Sequence, residues 1–299
     1  MNEVGAAREV AVRLPVAAVR SARRAWLIGA LRRTPVAVIG GVIVAVVIGV
    51  ALTAPMLAPY QPAAQIAKPL LLPGPDFLAG TDEFGRDELS RLMHGARVSL
   101  YVGVLAVLLA LALGGTSGIV AGFHGGFVDD ATMRVMDIIL SMPPLVLAIT
   151  ITAVLGPSLT NVMLAIGLVY APTFARVARG PTLAVVQRPY IEAARAIGAS
   201  SPRIVVRHVL PNVAAPILVQ ATVSLSTAIL TEAALSFLGL GTQPPTPSWG
   251  LMLSAARQYM LIDPWIAVLP GSAIALTVLG FNLLGDGLRD ILDPQMRAP

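Results

Sequence analysis

Several stretches of this sequence carry no charged residue and are long enough to cross a bilayer as a helix. Residues 98–123 form one such run of 26 residues, and residues 138–175 form another of 38. A transmembrane helix needs about 20 apolar residues. Charged residues make up only 12% of the chain, against about 25% in soluble domains. Such a chain cannot cover itself with a water-compatible surface, so the sequence predicts an integral membrane protein and excludes a soluble enzyme or a disordered chain.

Six membrane spans follow from the uncharged stretches. The stretch at 138–175 is too long for one crossing, and Gly156, Pro157 and Ser158 favour a tight turn at its middle. The predicted spans cover residues 36–57, 98–123, 138–155, 160–175, 213–238 and 264–284. The predicted fold class is therefore an all-α membrane protein with six transmembrane helices.

Basic residues are distributed unevenly between the two sides of these spans. Sixteen of the 21 basic residues fall on the side that holds both termini, and five fall on the other side. Loops on the cytoplasmic side of a membrane carry the excess of Lys and Arg. We therefore expect both termini to be cytoplasmic and the acidic loop at 59–96 to be extracytoplasmic.

These assignments divide the chain into five predicted segments. They are a cytoplasmic Arg-rich N-terminal segment at 1–35, the first transmembrane helix at 36–58, an extracytoplasmic loop at 59–96, a five-helix transmembrane domain at 97–288 and a cytoplasmic tail at 289–299. The apolar run that starts at Val36 has 22 residues, longer than the core of about 7–15 residues in a cleaved export signal. This length favours a retained anchor.

The longest predicted cytoplasmic loop, at 181–212, has local signals for two short helices separated by a break. Residues 192–197 are mostly good helix formers, and Gly198 supplies the left-handed residue that commonly ends a helix. Ser201 followed by proline is typical of a helix start, and Pro211 is expected to end the second helix. Three arginines of this predicted helical projection offer positive charge to a partner: Arg195, Arg203 and Arg207.

This loop resembles the EAA loop of ABC importer permeases. The family pattern is Glu-Ala-Ala, three residues, Gly, nine residues, an apolar position, one residue and Leu-Pro. Six residues occupy the matching positions: Glu192, Ala193, Ala194, Gly198, Leu210 and Pro211. His208 replaces the apolar residue, a departure typical of the peptide and nickel branch. The resemblance implies that this loop is the coupling helix that docks into a groove on an ATPase subunit.

Four further stretches, at 80–87, 234–241, 247–250 and 282–290, resemble the DppC/OppC-like permease subunits of peptide ABC importers. The resemblance implies a type I importer permease fold in a bacterial inner membrane and import of di- or oligopeptides by alternating access. It also implies a second, DppB/OppB-like permease, one or two DppD/DppF-like ATPase subunits that bind ATP and Mg²⁺, and an extracytoplasmic peptide-binding protein. Nickel or another small solute stays open as the alternative cargo.

The sequence supplies no pattern for a catalytic or metal centre. Lys68, the single lysine, lies between Ala67 and Pro69 rather than in the Gly-Lys-Ser/Thr sequence of a Walker A loop. Cysteine is absent, and the three histidines have no metal-ligand spacing. The carboxylates at 286–293 would suit an intramembrane enzyme only with a nucleophile that the sequence lacks. We predict that the chain is not an enzyme and binds no cofactor, metal or nucleic acid.

Three other features carry expectations about the membrane domain. Glu232 lies late in the fifth span and is a candidate translocation or gating residue, because a carboxylate within a membrane is functional by default. A structural role and a proton site in a secondary transporter stay open beside it. Gly114, Gly118 and Gly122 recur every four residues and predict close helix packing. Trp249, in the proline-rich loop at 239–264, is expected to anchor that loop at the outer membrane interface.

Overall fold

The structure is a computed structural model that describes residues 34–292. Most of the predicted Arg-rich segment at 1–35 and the tail from residue 293 lie outside the described residues. The helices of the described range are α1 (Pro35–Leu57), α2 (Glu88–His124), α3 (Gly126–Leu140), α4 (Pro144–Leu155), α5 (Leu159–Val186), α6 (Pro189–Ala196), α7 (Ser201–Phe237), α8 (Trp249–Ala256) and α9 (Trp265–Leu292). Within this range β pairing is limited to two isolated bridges, so the predicted all-α class is confirmed.

Five of these helices, α1, α2, α5, α7 and α9, are long and apolar enough to cross a membrane. Helices α3 and α4 meet that condition only as a pair, and the pair is bent by 85°. The described chain therefore has five unbroken spans, and six when the bent pair counts as one span. The predicted count of six corresponds to the second case.

The third predicted span, at 138–155, is not one helix. The structure ends α3 at Leu140 and starts α4 at Pro144, which leaves α4 with 12 residues. Pro143 and Pro144 cause the break, because a proline has no N–H for a helix bond and disfavours helical geometry in the residue before it. Pro143 accordingly has an extended ψ of 129°. The prediction rested on the absence of charged residues, which identifies an apolar stretch and does not reveal a bend within it.

The fourth predicted span ends at residue 175, whereas α5 continues to Val186. Two arginines in this extension pair with α3. Arg179 donates two hydrogen bonds of 2.5 and 2.6 Å to the Asp129 carboxylate, and Arg176 donates one of 2.6 Å to Asp137. A charged residue marks the place where a helix leaves an apolar environment, and the helix itself continues until its backbone is capped. The helix therefore extends 11 residues past the predicted end of the span.

The glycine stripe on α2 confirms the expectation of close packing. A Cβ atom at Gly114 would overlap the carbonyl oxygen of Ala171, and a Cβ at Gly118 would overlap that of Ala175. Both carbonyls belong to α5, so the two helices touch backbone to backbone along this face. Packing of this kind explains the four-residue repeat without any ligand.

The loop at 58–87 is attached to α2 by a buried cluster of charges. Asp82, which is 2% exposed, pairs with Arg86 at 2.5 Å and with Arg91 at 3.1 Å. Asp87 caps α2 by accepting a 2.8 Å hydrogen bond from the backbone N–H of Ser90. Gly85 turns the chain between these groups with a φ of +74°. The stretch at 80–87 thus forms a fixed corner between the loop and the bundle.

Trp249 does not occupy a membrane interface. It is 2% exposed, and its Nε1–H donates a 3.0 Å hydrogen bond to the carbonyl of Leu92 in α2. The expectation was wrong because helix α8 places the indole against α2 inside the protein. The exposed apolar residues of this region instead include Leu261, at 96% exposure, and Ile262, at 67%.

Candidate coupling hairpin

The segment at 189–211 forms an exposed helical hairpin, which we call the coupling hairpin. Its first helix, α6, starts with Pro189 in the first turn. Gly198 ends this helix with a φ of +82°. The Gly198 N–H bonds the carbonyl of Arg195 at 2.9 Å, and the Ala199 N–H bonds that of Ala194 at 3.0 Å. This pair of bonds is a Schellman motif, so the predicted break at Gly198 is present.

The second helix of the hairpin differs from the prediction. It starts at Ser201 with Ser200 as the flanking residue, and it does not end at Pro211. A π turn at Val205–Val209 precedes Leu210, from which the α-helix continues to Phe237. The wider π turn changes the hydrogen-bond register just before Pro211, which then stands in the first turn of the following α segment, where a missing N–H is tolerated.

The hairpin is therefore continuous with a membrane span. Helix α7 has 37 residues, which corresponds to about 55 Å at 1.5 Å per residue. One end of α7 lies in the hairpin and the other lies beside the loop at 239–264.

Apolar packing fixes the hairpin to the bundle. Ile191 of α6 is fully buried, and so are Ile204 and Val209 of α7. They form a cluster with Ile119 of α2 and Val185 of α5. The residues that carry this cluster come from four helices, so the hairpin is held as part of the fold.

Most of the predicted coupling residues lie on the exposed side of the hairpin. Ala194 is half-buried, and the exposed ones are Glu192, Ala193, Arg195, Gly198, Arg203, Arg207, Leu210 and Pro211. The Arg195 guanidinium lies 5.5 Å from the centre of the Phe123 ring. The hairpin thus presents three exposed arginines together with small residues.

Three exposed apolar residues of the hairpin were not predicted. Ile197 is 86% exposed, Val206 is 64% exposed and Tyr190 is 46% exposed. Contiguous exposed apolar side chains are typical of interaction surfaces. Ile197 directly precedes the Gly198 break, so it stands at the tip of the hairpin.

Glu232 lies five residues before the end of α7 and is fully buried. One carboxylate oxygen accepts a 2.7 Å hydrogen bond from Ser236 Oγ. The same Ser236 oxygen accepts a 3.2 Å hydrogen bond from the backbone N–H of Thr242. Glu232 therefore contacts the junction between α7 and the loop at 239–264.

The described acidic residues near the end of α9, Asp286 and Asp290, are both exposed. Residues 34–292 contain no group of three or more His, Cys, Asp or Glu side chains placed to hold a metal ion. The third carboxylate of the acidic stretch at 286–293, Asp293, lies outside the described residues.

A bundle of membrane spans with an exposed hairpin built on one of them defines the class: a permease component of a membrane transporter. The family described as binding-protein-dependent transport system inner membrane component matches residues 114–298. The N-terminal TM domain of oligopeptide transport permease C matches residues 22–73. The chain belongs to this family of inner membrane components, and it is a multi-pass protein of a bacterial inner membrane.

Curated relatives cover nearly the whole chain. A dipeptide transport system permease protein DppC of Alkalihalophilus pseudofirmus is 45% identical over 269 residues, which are 90% of this chain and 88% of the relative. A di/tripeptide transport system permease protein DppC of Pseudomonas aeruginosa is 48% identical, over 83% of this chain and 84% of the relative. A glutathione transport system permease protein GsiD of Pectobacterium atrosepticum is 42% identical, over 95% of this chain and 96% of the relative.

A solved structure shares the fold. A chain of the inward-facing MetNI methionine ABC transporter superposes with a TM-score of 0.53 at 21% identity, over 68% of this chain and 96% of that chain. At this identity the likeness concerns the fold alone. The type I importer permease fold implied by the sequence is confirmed.

Proposed function

We propose that this chain is the permease subunit of an ATP-driven importer that moves di- and oligopeptides into the cytoplasm by alternating access. The observation that carries the proposal is the shared cargo class of its relatives. Their names denote dipeptides, di/tripeptides and glutathione, itself a tripeptide, and two of the matches span 90% and 95% of this chain.

The proposed partners follow from the coupling hairpin. An exposed apolar residue at the tip of the hairpin, Ile197, suits a groove on another protein better than open water. We assign that groove to one or two DppD/DppF-like ATPase subunits, which bind ATP and Mg²⁺, and the remaining partners are a DppB/OppB-like permease and an extracytoplasmic peptide-binding protein. This chain then contributes no bond chemistry, and its part in the cycle is to convert movement of the ATPases into movement of α7.

Glu232 is proposed to act in gating as a latch. It is buried and bonded to Ser236, which also holds the backbone of Thr242. The latch therefore joins the end of α7 to the loop at 239–264. Movement of α7 at the hairpin then also moves this loop at the opposite end of the bundle. A carboxylate with these neighbours positions helices and does not need to contact the cargo.

The proposed orientation places the termini in the cytoplasm and the loop at 59–96 outside, with the transmembrane domain at 97–288. The absence of native cysteine allows a direct test with Asp76→Cys and Asp290→Cys, both at exposed aspartates. A membrane-impermeant maleimide should label Asp76→Cys in intact cells, and Asp290→Cys only after permeabilisation. Labelling of Asp290→Cys in intact cells would contradict the proposed orientation.

Uptake by the reconstituted importer tests the proposed cargo. Vesicles that contain this chain, its partner permease, the ATPases and the binding protein should transport labelled Ala-Ala across the membrane when ATP is supplied on the side where the ATPases lie. Excess unlabelled dipeptide should abolish the signal, and Ni²⁺ should leave it unchanged. Competition by Ni²⁺ alone would favour metal transport, and uptake that follows a proton gradient without ATP would favour a secondary transporter.

A further inference from the structure

A cavity of about 520 Å³ opens on the face of the bundle that carries the loop at 58–87. One side of α2 forms its floor, with His94, Arg97 and Tyr101 placed one helical turn apart. Pro62 and Pro245, from the two loops of this face, stand in its walls. Sites for small molecules have volumes of about 300–1,000 Å³, so the cavity can accommodate a ligand.

The cavity carries an unpaired positive charge. Arg97 is its one residue with a permanent charge, and no acidic residue of the described chain lines it. The neighbouring Arg86 and Arg91 are both paired with Asp82, whereas Arg97 forms no ion pair with any residue between 34 and 292. Arg97 is itself exposed, so its guanidinium is accessible to an anion, and the proline and other apolar groups beside it strengthen the attraction relative to open water.

The wall of the cavity that the loop at 58–87 forms is fixed to α2. Arg91 Nη1 donates a 3.1 Å hydrogen bond to the carbonyl of Pro62, and the backbone N–H of Tyr60 donates one of 3.0 Å to Ser90 Oγ. The His94 ring is held in turn, because its Nδ1 donates to the carbonyl of Ser90 at 2.9 Å. One wall and the His94 side of the cavity are thus in place before a ligand arrives, which reduces the entropy lost on binding.

We propose that this cavity binds the C-terminal carboxylate of an incoming peptide, with Arg97 as its counter-charge. The proposal rests on the proposed function of peptide import. Every short peptide carries this carboxylate whatever its side chains, and the planar fork of an arginine matches a carboxylate with two parallel hydrogen bonds. The cavity is then a binding site near the extracytoplasmic entrance of the transporter, and it recognises a chemical group that all such peptides share.

Chemical protection of Arg97 tests the proposal directly. The assembled complex of this chain with its partner permease and ATPases, without binding protein, is treated with the arginine reagent phenylglyoxal, and modified residues are quantified by mass spectrometry. Ala-Ala should slow modification of Arg97 at least fivefold, and Ala-Ala amide, which has no carboxylate, should not. Arg257, exposed in the segment at 239–264, is the internal control and should react at one rate throughout.

Three outcomes of this experiment would overturn the proposal. The first is equal protection by Ala-Ala and its amide. The second is protection by acetate at the same concentration as Ala-Ala, which would indicate a nonspecific anion site. The third is protection only when the binding protein is added, which would assign Arg97 to a contact between the two proteins. Each outcome would show that the cavity does not bind the peptide carboxylate specifically.

Transport variants separate this proposal from the proposed function. Arg97→Met should lower the amount of Ala-Ala transported per ATP hydrolysed about tenfold, Arg97→Lys should lower it less, and Arg257→Met should match the wild type. If the wild-type complex transports no peptide, the proposed function fails. If the wild type transports Ala-Ala and Arg97→Met transports it equally well, only the carboxylate site fails.

Discussion

Replacing Ile197 by Asp is expected to lower ATP-dependent peptide uptake at least tenfold. Ile197 is 86% exposed at the tip of the coupling hairpin, so the substitution removes no buried contact of the chain itself, and exposed substitutions usually change stability by less than about 0.5 kcal/mol. In the docked complex the new carboxylate would be enclosed in an apolar groove without a partner, at a cost of about 2 kcal/mol or more. Since about 1.4 kcal/mol corresponds to a factor of ten, retention of the ATPases should fall in parallel with uptake.

The measurement is the amount of ATPase that co-purifies with the permease pair, together with uptake by the same preparation. Ile197→Leu keeps an apolar tip of the same size and is the matched control. Gly198→Pro should act in the same direction for a different reason, because proline requires a φ near −65° and Gly198 has a φ of +82°. Wild-type retention and uptake with Ile197→Asp would exclude the hairpin tip as the ATPase contact.

Local sequence rules predicted one half of the hairpin and failed in the other. Gly198 ends α6 because its φ of +82° and its two flanking backbone bonds depend on neighbouring residues alone. Pro211 was expected to end a helix by the same kind of rule. The π turn at Val205–Val209 changes the hydrogen-bond register just before it, and Val209 and Ile204 are buried against other helices. Tertiary packing therefore overrides the local signal at Pro211.

The exposed tip and the cavity could not be predicted for a common reason. The apolar residues Ile191, Ile197 and Ile204 are equivalent in the sequence, and only their neighbours in space decide that the middle one is exposed. The cavity joins Pro62, Arg97 and Pro245 from three distant parts of the chain. The length of an uncharged stretch and the count of basic residues describe each span separately. They carry no information about which residues of different spans and loops lie side by side.

Replacing Asp82 by Ala is expected to detach the loop at 58–87 from α2 and lower the unfolding free energy by about 3–5 kcal/mol. The Asp82 carboxylate is 2% exposed and neutralises Arg86 and Arg91 at 2.5 and 3.1 Å. It also accepts a 2.9 Å hydrogen bond from the backbone N–H of Phe84. Its removal leaves Arg91 without its ion pair and Arg86 with only the longer contact of 3.4 Å to Glu83, so two guanidinium groups stand near each other in a buried site with one counter-charge fewer.

Thermal unfolding of the purified complex measures this effect, and a loss of this size corresponds to a fall of about 10 °C in the midpoint. Asp76→Ala is the matched control, because Asp76 is exposed in the same loop and its removal unpairs no buried charge. Asp82→Asn separates the two contributions of the side chain, since it keeps an oxygen for the backbone N–H groups and removes the negative charge. Equal midpoints for Asp82→Ala and Asp76→Ala would show that the buried ion pairs do not hold the loop. If instead only Asp82→Ala unfolds early, Arg97 should also lose its protection by Ala-Ala, because Arg91 joins the same charge cluster to the wall of the cavity through Pro62.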